Sequence, residues 1–557
     1  MHLTPEERAI GKDNFYGTIG FTRRDFLKGG LAAGLVSGAG LGAMYFGYKA
    51  MEGDPLRVGI IGTGDEGSVL IGGLTPSYLQ VVAIADIRPY NVHRAFHGDQ
   101  SSANTIKVRP GLMTKYDWKS EDEARKNVKV YDKNGYEELL DDPNVEAVVI
   151  ALPLHLHAEA AIKAMRKGKH VLTEKLMGHD IAQCKEMGRV ATETGKILAV
   201  GHQRHYSILY DNAVDTIRRG LIGDIHHVRA QWHRGNLPGN DSWQPPLPDD
   251  KMVAAISKTE EELSKAKGSR FDDLSKKLEQ LKLQYLDHVV DAGKFGYEAK
   301  TLDGGYNRSA LEELIRWRLW NRTGGGLMAE LGSHQLDASG IFVSATRTDG
   351  KKVLPLSVSA TGGRHIFPVD RECDDHVYCT YEYPGPAYDS DPNKKIVVTY
   401  SSINGNGFGG YGEVVMGTKG TLILEREQDV MIFKGAETAT NVKVSEGKSG
   451  GPTLDTTQSG GGPAVETGKK AIETGPPSRG YTEELEHWAW CIRNPAPEHK
   501  PRCHPEVALA DAVIALVTNM STKKGEPIRF QPEWFKIDKD ETPEGLTPNT
   551  AQDKYKV

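Results

Sequence analysis

The feature that most constrains this chain is a strand, a glycine turn and a second strand compressed into residues 56–86. Leu56-Arg57-Val58-Gly59-Ile60-Ile61 reads as a buried parallel strand, and Gly62-Thr63-Gly64-Asp65-Glu66-Gly67 follows directly, a G-x-G-x-x-G that opens a helix. Gly62 permits the tight turn, Gly64 lets the backbone approach a pyrophosphate, and Gly67 permits close packing of helix on strand. The helix N-terminus presents free N–H groups and a positive dipole end to phosphate. Among 62 glycines that spacing alone would be weak evidence. The second strand, Val81-Val82-Ala83-Ile84-Ala85, sharpens it by ending at Asp86, where a carboxylate can hold the adenosine ribose hydroxyls and repel a 2′-phosphate. NAD is therefore expected in preference to NADP, with Arg88 able to soften the preference.

A third strand, Ala147-Val148-Val149-Ile150-Ala151, runs into Leu152-Pro153-Leu154-His155-Leu156-His157. After a helix ending near Gly168, Lys169-His170-Val171-Leu172-Thr173 returns as another strand and reaches Glu174-Lys175. Strands alternating with helices over such short connections predict a doubly wound parallel sheet, a Rossmann domain over residues 55–175. Ligands lie beyond the C-termini of such strands, which is where Asp86, Pro153, His157, Glu174 and Lys175 fall.

The remaining chain reads as a second domain over 176–535, with a charged, helical insertion at about 244–323 and a Gly/Ser/Thr/Pro-rich loop at about 445–480. Alternating runs such as His376–Tyr381 and Ile396–Tyr400 are expected strands, and a polar tail covers 536–557. A net charge of −6 without a basic cluster excludes a broad nucleic-acid surface. The 19 histidines show no zinc-like pair spacing and the five cysteines form no CxxC, so no metal site is expected.

Three segments resemble the glucose–fructose oxidoreductase and inositol dehydrogenase (Gfo/Idh/MocA) family. Ile150–His157 is similar to ATPNxxH, Gly168–Lys175 to GKHVxxEKP, and Gly325–Asp337 to GGxLxDxGxHxxD. The resemblance implies an α/β fold, an N-terminal Rossmann doubly wound parallel sheet followed by an α+β domain with an open, mostly antiparallel sheet. It implies that Lys175 and His334 face the reacting hydroxyl or carbonyl, with Glu330 in place of the family's aspartate and Leu176 in place of its proline. Thr22-Arg23-Arg24-Asp25-Phe26-Leu27-Lys28, before an apolar Gly/Ala-rich stretch, resembles a twin-arginine signal. Residues 1–54 are then signal, anchor and linker, with the twin-arginine translocase as partner. The expected location is periplasmic, either free or tethered to the membrane through residues 29–50.

Oxidising a secondary alcohol needs a hydride acceptor and a base, and a desolvated lysine beside a histidine can handle the proton. Lys175, His334 and Glu330 are the candidate catalytic group. Gly62, Thr63, Gly64, Gly67, Asp86, Arg88, Pro153, His157 and Glu174 are the candidate cofactor ligands. Arg204, Trp232, His233 and Arg234, polar and aromatic residues in two clusters, are the candidate contacts to a carbohydrate or polyol. NAD is expected to be tightly bound and the protein a homo-oligomer. Three readings stay open: a dehydrogenase of a sugar, glycoside or cyclitol; an NAD-dependent glycosidase working through transient oxidation; and a non-catalytic nucleotide-binding sugar sensor.

Overall fold

The computed structural model describes residues 3–19, 41–49, 51–435, 443–446, 452–455 and 479–555. The twin-arginine core, most of 29–50 and most of the 445–480 loop lie outside the described residues. The parallel sheet is built from β1 (Leu56–Ile61), β2 (Leu79–Ala85), β3 (Lys129–Tyr131), β4 (Ala147–Ile150), β5 (His170–Glu174) and β6 (Leu198–Gly201). Their spatial order is β3-β2-β1-β4-β5-β6. Helices cover both faces, so β1 and β4 are buried almost throughout, which their Val/Ile/Ala content permits. The order reverses between β1 and β4, and the crevice at that switch point is where this fold binds ligands. The sheet continues through β6, 26 residues past the boundary drawn at 175 from sequence.

The second sheet begins with β7 (Ile225–His233) and adds β8 (Ser357–Gly363), β9 (His376–Pro384), β10 (Lys395–Ile403), β11 (Tyr411–Gly417), β12 (Gly420–Glu425), β13 (Asp429–Lys434) and β14 (Ile528–Arg529). The order is β13-β12-β11-β7-β10-β9-β8-β14, with every pairing antiparallel except β7 with β10. Burial alternates along β10, and its buried residues Ile396, Val398 and Tyr400 belong to the core beneath the helix Ser333–Ser344. The helix Pro505–Lys524 packs on the helix Ile181–Thr194 and on β8, joining the two domains.

Three segments differ from the sequence expectation. The polar tail is docked: Lys185 Nζ donates to the carbonyls of Glu533, Lys539 and Glu541, and the buried Glu186 carboxylate accepts from Lys554 Nζ and from Asn549 N. Buried charges on the helix Ile181–Thr194 need those partners. Ahead of the twin arginines, Pro5–Ile19 is a helix against β13, where Arg8 pairs with Glu425 at 2.7 Å and Lys12 with Asp429 at 2.7 Å. The insertion, with helices Asp250–Lys265 and Ser269–Tyr285, turns back through Leu286–Val289 onto the mouth of the Rossmann crevice.

Candidate active site

The glycine loop is a cradle in which Gly62 and Gly67 leave no room for a side chain. Gly62 has φ +86°, and a Cβ there would lie 2.4 Å from the Ala151 carbonyl oxygen. A Cβ on Gly67 would lie 2.1 Å from the Gly62 carbonyl oxygen, so Gly67 packs helix on strand. At Gly64 the nearest atom would be Asn91 Nδ2 at 3.6 Å, which leaves that backbone open to the cleft. The cleft has a volume of about 1070 Å³, at the upper end of ordinary small-molecule sites. It therefore has room for a dinucleotide and a second ligand. Arg94 and Arg109 both pair with Asp65 at its rim, offsetting the acidic Asp65-Glu66 that opens the helix.

Asp86 is held in place at the end of β2. Its Oδ2 accepts from Thr63 N at 2.8 Å and Asn91 Nδ2 at 3.1 Å, and its Oδ1 accepts from Arg88 N at 2.9 Å. Burial raises its pKa, and the hydrogen bonds from Arg88, Thr63 and Asn91 with the Arg88 charge oppose that rise. Thr63 is buried beneath Asp86 and orients it. Arg88 does not hang free: its Nε donates at 2.8 Å to Asp287, a buried aspartate of the insertion that also accepts from Tyr90 N. Gln280, Gln284, Phe295 and Tyr297 of the insertion line the same end of the cleft. The Asp287→Ala variant is expected to release Arg88, weaken retention of NAD and improve binding of a 2′-phosphorylated dinucleotide by roughly tenfold, one ion pair's worth. Isothermal titration with both dinucleotides checks this, and an unchanged affinity ratio would refute it.

The reacting end is built by three elements. Lys175 follows β5, and its Nζ donates to the Glu330 carbonyl oxygen at 2.9 Å; the Lys175–Leu176 peptide bond is cis. Glu330 lies in a π-helical turn, Met328–Gly332, that feeds directly into the helix Ser333–Ser344 carrying His334. Such turns recur at functional sites because they re-aim one side chain within a helix. Glu330 Oε2 accepts from Arg318 Nε at 2.9 Å. Burial would raise the Glu330 pKa, but the charges of Lys175 and Arg318, the Arg318 hydrogen bond and the Arg234 charge hold it below the ordinary range. Burial, reinforced by the cations Lys175, Arg204 and Arg479, pushes His334 well below the ordinary histidine value, so its ring is neutral. Its ring faces Trp232 at 5.5 Å, and Trp232 stacks on Tyr411 at 4.5 Å with Arg234 5.5 Å from its face. Lys175, Glu330, His334, Trp232, Arg234 and Arg318 all line the cleft.

Glu174 lines it too, buried, with Oε2 accepting from Lys175 N and Oε1 without a hydrogen-bond partner. Burial, aided by the nearby Glu66 charge, pushes its pKa up to about 8. The folded state then keeps a proton that the unfolded chain loses in the ordinary carboxylate range. This contribution to stability is present in acid and declines as pH rises toward 8. Thermal melts of Glu174→Gln should show a shallower loss of stability between about pH 5 and 8 than the wild type; parallel curves would contradict that account.

Several expected site residues sit elsewhere. Arg204 is 1% exposed and turned away from the cleft, paired with Glu427 at 2.5 Å and donating to Tyr210 Oη at 3.1 Å. His233 has ring nitrogens 2.9 Å from the Phe408 carbonyl and 2.8 Å from Ser401 Oγ, outside the cleft lining. His157 is buried with ring nitrogens 2.8 Å from the Leu152 and Leu176 carbonyls, bracing the loops that follow β4 and β5. Pro153 lies on the cleft wall. Neither Arg318 nor Asp287 is among the site residues expected from the sequence, although Arg318 lies in the segment Glu312–Trp320 that leads back to the glycines of 324–326.

Residues 56–202 match the Gfo/Idh/MocA model, described as an oxidoreductase family with an NAD-binding Rossmann fold. The match falls on the parallel-sheet domain, which is thus similar to the NAD-binding Rossmann fold of this oxidoreductase family. An uncharacterised oxidoreductase of Rhizobium meliloti is 29% identical over 189 residues, 33% of this chain and 47% of that protein. A dTDP-3,4-didehydro-2,6-dideoxy-α-D-glucose 3-reductase of Actinomadura kijaniata is 36% identical over 107 residues, 19% of this chain and 32% of that protein. In both alignments the chain spans less than half of the relative's length. The crystal structure of an oxidoreductase domain protein from Kribbella flavida has a TM-score of 0.52 at 13% identity, covering 86% of this chain and 100% of that one, a likeness of fold.

Proposed function

We propose that the chain is an NAD-dependent oxidoreductase that oxidises a secondary alcohol of a sugar, glycoside or cyclitol. The observation that carries this reading is the meeting of Lys175, Glu330 and His334 in one cleft with the Gly62–Gly67 loop and Asp86. When bound, the nicotinamide supplies the hydride acceptor. The chain does the rest. Lys175, its Nζ fixed by the Glu330 carbonyl, takes the hydroxyl proton as the free amine and becomes the ammonium that faces Glu330 and His334. Neutral His334 hydrogen-bonds the same oxygen, and the Glu330 carboxylate with Arg318 keeps the charge around that oxygen balanced. Trp232 offers a flat wall and Arg234 a donor to a hydroxyl-rich ring. The Asp86 carboxylate and the engagement of Arg88 by Asp287 favour NAD over NADP, and the insertion across the crevice favours tight retention. The sugar reductase among the relatives supports a carbohydrate substrate.

The test is to offer purified, nucleotide-loaded protein a panel of free sugars, glycosides and cyclitols while following nicotinamide absorbance and analysing products. Reduction by one class supports the dehydrogenase. Cleaved glycoside without net reduction transfers the reading to a redox-assisted glycosidase. Silence with nucleotide present leaves a sensor. We also propose export by the twin-arginine route, on residues 22–28: changing Arg23 and Arg24 to Lys should retain the protein in the cytoplasm, and equal export of both forms would overturn it.

A further inference from the structure

Behind the catalytic histidine lies a second polar cluster that the proposed chemistry does not use. His202 follows β6, Asp337 sits one turn after His334 on the helix Ser333–Ser344, and Cys503 and Asp511 flank and enter the helix Pro505–Lys524. All four are at most 2% exposed. The ligand atoms of His202, Cys503 and Asp511 lie within 4.8 Å of one another, as do those of His205, Asp337 and Asp511. His202 Nδ1 is 3.7 Å from Asp337 Oδ2.

The hydrogen bonding is lopsided. Asp337 Oδ1 accepts from Lys352 Nζ at 3.2 Å and lies 2.9 Å from His205 Nε2, and Asp511 Oδ1 pairs with Lys352. By contrast both ring nitrogens of His202 are buried without a hydrogen-bond partner. An orphaned buried polar atom is costly, so two on one ring call for an occupant. The 3.7 Å between His202 and Asp337 is too long for a hydrogen bond.

We propose that His202, Cys503 and Asp511 bind a zinc ion, with the Asp337 carboxylate beside it. One imidazole, one thiolate and one carboxylate are ligand types that zinc takes, and the thiolate disfavours magnesium and calcium. Charge closes as well: a dication and the Lys352 ammonium balance one thiolate and two carboxylates. Lys352 and His205 serve as the outer shell that orients the carboxylates through Oδ1. Both also line a cavity of about 380 Å³ on that side of the cluster, which gives the ion an access route. The ion would tie the end of the parallel sheet to the C-terminal helix, beside the helix of His334. This reversal of the no-metal expectation was invisible in sequence because the three ligands are separated by 301 and 8 residues. The proposal stands independently of the substrate reading.

The experiment is elemental analysis of full-length protein purified without chelator, paired with cobalt substitution. About one zinc per chain is expected in the wild type, falling at least tenfold in Cys503→Ser and in His202→Ala with bound nucleotide retained. Cobalt(II) protein should show a thiolate-to-cobalt charge-transfer band in the near ultraviolet that Cys503→Ser lacks. The wild-type measurements alone are decisive should a variant fail to fold. Less than a tenth of an equivalent of zinc after zinc-supplemented expression, with cobalt giving no charge-transfer band, would mean that the cluster holds water and would overturn the proposal. So would zinc retained in full by both variants.

Discussion

Lys175→Ala is expected to lower kcat by roughly 10²–10⁴-fold, the range for loss of a positioned proton-transfer group, while leaving the amount of nucleotide bound per chain unchanged. The separation follows from where the lysine sits. Its backbone N–H contacts Glu174 and survives the substitution, whereas its Nζ reaches across to the Glu330 carbonyl beside His334. The glycine cradle and Asp86 lie on the other side of the cleft, at the ends of β1 and β2, and make no hydrogen bond to Lys175 among those described. Loss of the ammonium also removes the largest cationic influence on Glu330 and His334. Single-turnover reduction of the bound nicotinamide measures the first effect, and nucleotide released on denaturation measures the second. Full activity in the alanine variant would remove Lys175 from the chemistry, and loss of the nucleotide would recast it as a cofactor ligand.

What sequence made legible here was local. The glycine loop, the strands around it and Asp86 are specified within about thirty residues by turn geometry and buried apolar runs. Lys175 and His334 were legible as members of spaced motifs. Long-range docking was not. Nothing around Asp287 says that its carboxylate meets Arg88, 199 residues away in sequence, and nothing around Glu186 says that the polar tail will bury its charge. One miss was avoidable. Successive residues of a strand point to opposite faces, so Trp232 and His233 at the end of β7 could not both face one cleft. The structure gives the cleft to Trp232 and Arg234 and sends His233 to Ser401 and Phe408.

Arg204 tests the distinction between a residue that touches substrate and one that holds the wall behind it. Arg204→Met is expected to destabilise the second domain by about 3–5 kcal/mol, the usual cost of removing one partner of a buried ion pair. The guanidinium pairs with Glu427, which also accepts from Arg479, and its Nε bonds Tyr210, whose hydroxyl donates to the buried Glu413 at 2.9 Å. Burial already pushes Glu413 up to about 7 against the pull of Arg204. Without that cation Glu413 should take up a proton, and Glu427 would be left to Arg479 alone. Methionine fills the volume but satisfies neither oxygen. The guanidinium also lies 5.9 Å from the Trp232 ring, so the wall it supports should loosen before any substrate contact is lost. A lower midpoint of urea denaturation with KM changed less than threefold is the expected pattern. An unchanged midpoint with KM raised tenfold would return Arg204 to the substrate site.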